Sequence, residues 1–132
     1  MIQMTTAWLK QQTDAISMGL HGHHAIPKNV GGHPTEQDLI FIPANTHRMF
    51  HFIFDQFLKH EAGFDGKNNW TSKTNWGEIS QTEEGRKKLY RAILASSYVV
   101  DNICKLKKPN RLRDYVKRYK KDFLGGTWEN GN

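Results

Sequence analysis

The chain has 132 residues, 37% hydrophobic and 24% charged, with 19 lysines and arginines against 13 acids and a formal net charge of +6. That length suits one domain with a real hydrophobic core and is too short for two, and the basic balance favours an anionic partner, most commonly nucleic acid. One cysteine, Cys104, excludes an internal disulfide and a thiolate zinc cluster; no apolar run approaches a membrane span, and the opening MIQMTTAWLKQQTD lacks the features of a signal peptide.

Residues 1–18 carry Trp8, Leu9, Gln12, Ala15 and Ile16 roughly on one face, which predicts an amphipathic packing helix. Gly19 and Gly22 then suit the entry to a strand. Ala25–Val30 and the β-prone run Leu39–Ile42 are expected to form two strands, joined through His33, Pro34, Thr35, Glu36 and Gln37. Pro27 makes the first of them an edge or irregular strand. Pro43 breaks the second, and Asn45 or Thr46 is placed to cap a helix. From Arg48 to His60 the residues Phe50, Ile53, Phe54, Phe57 and Leu58 recur at helical spacing and must be buried.

Residues 61–81 are loop-like, and burial statistics favour Trp70 and Trp76 as anchors of that loop over a base-stacking role. A second amphipathic helix is predicted over Glu83–Leu106, with Leu89, Ile93, Leu94, Ser97, Val100, Ile103 and Cys104 inward and Pro109-Asn110 ending it. A third is marked by Leu112, Tyr115, Val116, Tyr119 and Phe123 and closed by Gly125-Gly126. Between Lys105 and Lys121 stand nine lysines and arginines against one acid, Asp114. Such a run is a solvated face by default, but the imbalance also suits phosphate contact, with Lys117 and Arg118 as candidates.

Six of the seven histidines fall between His21 and His51. His47 and His51 stand four apart, on one face of a helix, where two imidazoles can reach one cation. The adjacent pair His23-His24 can supply a third nitrogen. In an extended segment neighbours face opposite ways, so one of the pair can meet a metal and the other a substrate. Three neutral histidines leave a divalent ion its full charge and an open position, the pattern of a catalytic site. His60 lies about 180° from His51 around the helix and is excluded. His21 and His33 read as surface or supporting histidines, with His21 also open as a fourth ligand.

The pattern of His23-His24, a ββ hairpin, a polar Asp38 nine residues before His47, and HxxxH on a helix resembles the HNH (His-Me finger, ββα-metal) nucleases, in particular colicin-type DNase domains and the GHH and AHH nucleases of bacterial polymorphic toxins. The motif covers about a quarter of the chain. The resemblance implies a ββα-metal core at about 21–60; with the further helices and the basic helical region read above at about 82–124, the expectation is one mostly helical α+β domain over 1–132. The resemblance implies His23, His47 and His51 as metal ligands and His24 as general base. Asp38 falls where the family usually has an asparagine that holds the hairpin loop in shape, and here an aspartate could instead orient His24. The resemblance also implies a toxin domain at the end of a secreted bacterial effector, acting in the target-cell cytoplasm and neutralised by a cognate, commonly acidic, immunity protein.

The expected chemistry is hydrolysis of DNA phosphodiesters with little sequence preference. His24 would activate water and one divalent ion would stabilise the phosphate and leaving oxygen. Arg48 and Lys28 are candidates to hold flanking phosphates. Imidazole ligands suit zinc or nickel, while the resemblance keeps magnesium and manganese open. The alternatives are the same chemistry on RNA, and a non-enzymatic module in which zinc ties the hairpin to the helix. No membrane partner is expected.

Overall fold

The computed structural model describes residues 18–33, 35–60 and 79–126. The predicted N-terminal helix, up to residue 17, and the tryptophan-bearing loop, up to residue 78, lie outside them, as does the His60 side chain. The fold is mostly helical α+β: strands β1 (Leu20–His24) and β2 (Leu39–Pro43), then helices α1 (Ala44–His60), α2 (Glu83–Cys104), α3 (Leu112–Arg118) and α4 (Lys120–Leu124). The strands form an antiparallel hairpin, with His21 opposite Ile42, His23 opposite Ile40 and His24 opposite Leu39.

The first strand is not where the sequence pattern put it. The histidines themselves are the strand, and Ala25–Val30 curls into a turn that includes a short 3-10 segment, Lys28–Val30. Pro27 explains the difference. Its nitrogen has no hydrogen to give a ladder, and its carbonyl accepts from both Val30 (3.2 Å) and Gly32 (2.9 Å). Apolar residues are still needed there, because Ala25, Ile26 and Val30 are fully buried. The loop between the strands is therefore part of the core.

Helix α1 leaves β2 without an Asn45 or Thr46 cap. Its first residue, Ala44, donates its N–H to the Gly19 carbonyl (3.1 Å), so extension of the hairpin pairing satisfies an orphan donor that a capping side chain would otherwise meet. Phe50, Phe54 and Leu58 are buried on one stripe of α1, which packs against α2. Each of these side chains contributes about 1.5–3 kcal/mol by leaving water. His47 lies about 20° from Phe54 around the helix. The histidine pair therefore continues the core stripe at its N-terminal end.

Helix α2 is capped by Thr82, whose hydroxyl accepts from the Gly85 N–H at 3.0 Å. It ends two residues earlier than expected. Lys105 adopts a left-handed conformation (φ 54°) and the Leu106 N–H reaches back to the Asp101 carbonyl (2.9 Å), and Ile103 in the last turn is 55% exposed rather than inward. The third predicted helix is two, α3 and α4, broken at Tyr119. There the N–H bonds to Val116 three residues back, and the phenol oxygen accepts from the Asp38 N–H at 2.8 Å. That bond docks the basic end of the chain on the base of β2. Asp101, wholly buried, holds the start of α3 by accepting from Leu112 N–H (2.7 Å) and Arg113 N–H (3.0 Å).

Candidate metal centre

Two elements meet at the site. In β1 the alternation of side chains sends His21 and His23 to one face and His24 to the other. The first two turns of α1 bring His47 and His51 against the His21–His23 face. The ring nitrogens of His23, His47 and His51 include one from each residue lying within 4.8 Å of the others. His47 Nε2 and His51 Nε2 are 3.1 Å apart. Two imidazoles bound to one tetrahedral zinc, at bonds of roughly 2.0–2.1 Å, require a separation of about 3.3 Å.

His23 is the most informative of the three. It is 1% exposed, its ring packs edge-on against Phe50 with centroids 4.6 Å apart, and neither ring nitrogen has a hydrogen-bond partner among the described residues. A buried polar atom without a partner carries a desolvation penalty of about 1–3 kcal/mol, which a cation on that nitrogen would relieve. Burial, reinforced by the neighbouring imidazoles of His47, His51 and His24, pushes its pKa down to about 3. Burial and the charges of His51, His21 and His24 push His47 down to about 4. Burial also lowers His51, partly opposed by the Asp55 carboxylate one turn on. All three imidazoles are therefore neutral at physiological pH, the state that binds a metal. The donor set fits a first-row ion such as zinc and contains no hard oxygen ligand.

A hairpin followed by a helix, with three histidines close together, is compatible with a ββα-metal fold. In comparisons with known proteins no family model, curated protein or solved structure matches the chain. Function must therefore be argued from the site itself.

His24 is partly buried and near enough for its charge to depress both His23 and His47, yet it stands outside the three-nitrogen cluster. Asp38 stands just before β2, its N–H bonded to the Tyr119 phenol. Its exposed carboxylate pairs with Arg118 at 2.9 Å, and the loop is held by its neighbour Gln37. The Gln37 amide, 7% exposed, accepts from Ile26 N–H (2.9 Å) and donates to the Ile26 (2.8 Å) and His33 (2.9 Å) carbonyls. In the sequence Gln37 read as one more polar loop residue. Its signal was its place just before β2, where a long amide can reach back across the loop. His33 also supports this loop, its Nδ1 accepting from the N–H groups of Thr35 and Glu36, each at 3.1 Å.

The candidate phosphate contacts are dispersed. Lys28 is exposed on the 3-10 turn, and exposed Arg48 donates to the Asn45 side chain at 3.3 Å. Lys117 donates to the Tyr98 phenol at 2.6 Å, beside Arg113, whose guanidinium lies 4.0 Å above the same ring. Arg118 approaches the hairpin through Asp38, adjacent to the Leu39–His24 pair. The basic face of α3 and the His24 end of the hairpin are thus joined by an ion pair.

Proposed function

We propose that this chain is a metal-dependent endonuclease that hydrolyses DNA with little sequence preference and serves as the toxin domain of a bacterial secreted effector. The observation that carries the reading is the buried His23 ring, without hydrogen-bond partners among the described residues and facing His47 and His51, with a further histidine beside it in the strand. A site that only stapled the hairpin to the helix would have no use for that neighbour.

A phosphodiester is an anion that repels hydroxide, so its cleavage needs an activated water and positive charge on the phosphate. A divalent ion held by His23, His47 and His51, with zinc or nickel the best match to imidazole ligands, would supply that charge when bound. His24 would take the proton from the attacking water, the general-base role to which imidazole is suited near neutral pH. Arg118 and Lys117 would hold flanking phosphates, with Arg118 exchanging Asp38 for the nucleic acid. Arg48 and Lys28 are further candidates. An immunity protein for such a domain would carry acidic groups to cover this face.

The test is plasmid DNA and total RNA incubated with metal-stripped protein, then with zinc, nickel, manganese or magnesium restored, each beside His24→Ala. Cleavage that requires a metal and His24, while His24→Ala still binds zinc, supports the proposal, and the degraded polymer identifies the substrate. His47→Ala and His51→Ala should weaken both binding and cleavage. A tightly held zinc with no cleavage under any metal would sink the enzyme reading and favour a nucleic-acid-binding module.

A further inference from the structure

His47 is engaged at both edges of its ring. Its Nε2 faces the His51 Nε2 at 3.1 Å, while its Nδ1 lies 3.2 Å from the Nδ1 of His21. The His21 and His47 rings are perpendicular, with centroids 5.3 Å apart. Strand alternation sets this up, since His21 is two residues before His23 and shares its face. Two Nδ1 atoms at hydrogen-bond distance require one donor and one acceptor. If the Nε2 lone pair of His47 serves the cluster, its ring proton must sit on Nδ1, and His21 must accept it while carrying its own proton on Nε2.

From this geometry we infer that His21 is a positioning residue of the metal centre, accepting the His47 Nδ1 proton and holding the His47 ring with Nε2 toward His23 and His51. The inference rests on the metal-site reading above and assigns His21 a positioning role in place of that of a fourth ligand. The two nitrogen lone pairs of an imidazole diverge across the ring. An ion shared with His51 through His47 Nε2 therefore lies on the far side of His47 from the His21 Nδ1. A ligand histidine usually donates its second N–H to a carboxylate, carbonyl or water, a place His21 takes here, and losing that partner typically lowers metal affinity 10–100-fold.

The experiment measures zinc affinity by chelator competition, and the visible spectrum of the cobalt(II)-loaded protein, for wild type, His21→Ala, His21→Gln and His47→Ala. Melting of each metal-free protein provides the folding control. His21→Ala is expected to bind zinc 10–100-fold more weakly with the cobalt band positions and intensities of wild type. His21→Gln, whose side-chain oxygen restores an acceptor, is expected to recover at least part of that loss. In the zinc-loaded wild type, proton NMR should show a slowly exchanging His47 Nδ1–H resonance that His21→Ala loses. Unchanged zinc affinity in His21→Ala would overturn the inference, as would a cobalt spectrum altered in the way His47→Ala alters it, which would make His21 a ligand. Glutamine as weak as alanine would also overturn it. Wild type that binds neither metal would remove the metal reading itself, a result distinct from all of these.

Discussion

Gln37 pairs with Ile26 through both backbone groups of that residue, accepting its N–H at 2.9 Å and donating to its carbonyl at 2.8 Å. One side chain thus does what a neighbouring strand would do, two residues beyond the end of β1 and the His23-His24 pair. Ile26 is fully buried, so its polar backbone has no access to water. Gln37→Ala leaves both groups unpaired, and at about 1–3 kcal/mol for each orphaned group it is expected to destabilise the fold by about 2–6 kcal/mol. Urea unfolding of the metal-free protein reads this directly. Gln37→Glu sets a buried carboxylate oxygen against the Ile26 and His33 carbonyls and should be at least as destabilising at neutral pH. A Gln37→Ala midpoint equal to that of wild type would show that the brace is dispensable.

Gly32 closes the same turn. A Cβ there would lie 1.9 Å from the Ile26 carbonyl oxygen and 2.8 Å from that of Pro27, both backbone atoms that cannot swing aside. Gly32→Ala is expected to destabilise by at least the 1–3 kcal/mol roughly typical of overpacked sites and to weaken zinc binding as the hairpin end shifts. By contrast Gly19→Ala meets no atom within 4 Å, though its φ of +74° makes it a strained control rather than a neutral one. Parallel melts and zinc titrations of the two variants would separate the clash from backbone strain alone.

How much of this was legible in the sequence depends on the range of the interaction. The i, i+4 pair His47/His51 and the stripe Phe50–Phe54–Leu58 follow from helix periodicity, a local property, and are found where expected. The boundaries of β1 were not legible. Ala25–Val30 is as apolar as a strand, and the hydrogen bonds to the Pro27 and Lys28 carbonyls, with the Gln37 brace on Ile26, make it a turn. Contacts between distant residues were also hidden. Nothing in the spacing says that Gln37 rather than Asp38 braces the loop, that Tyr119 breaks its helix beside an Asp38 contact, or that His21 finds His47. Such pairings depend on register and on how a helix docks, which a pattern of residue types leaves open.

Acid should destabilise the metal-free protein well before its carboxylates titrate. His23 has a folded pKa of about 3, against about 6.5 when unfolded. Between those values the unfolded chain binds the extra proton, so stability rises with pH, is complete above about 6.5 and is lost as pH falls toward 3. The slope from His23 approaches 1.4 kcal/mol per pH unit, to order of magnitude. His47, lowered to about 4, acts in the same direction, though its partial exposure weakens the effect. Urea midpoints at several pH values from 7.5 to 4.5 should fall steadily for wild type and less for His23→Asn. A flat wild-type profile would contradict a neutral, buried His23.

The basic face offers a pair of variants that separate folding from nucleic-acid contact. Arg113 is 14% exposed and bonds at 2.9 Å to Asp101, whose side chain is wholly buried, so Arg113→Ala strips a buried charge of its main partner. Breaking such a pair typically costs 3–5 kcal/mol. Here the two N–H groups that Asp101 also accepts should hold the loss near the lower end, at about 3 kcal/mol. Lys117 is exposed and bonded to a neutral phenol, so Lys117→Ala should change stability by no more than about 0.5 kcal/mol. If α3 tracks phosphates as proposed, Lys117→Ala should also weaken DNA binding by a similar factor on every sequence tested. The slope of log affinity against log salt should become shallower by about 0.9, the loss of one phosphate contact. Unfolding curves and binding isotherms at several salt concentrations measure both quantities. A Lys117→Ala protein with unchanged affinity and salt slope would mean that this residue belongs to a solvated face rather than to a path for DNA.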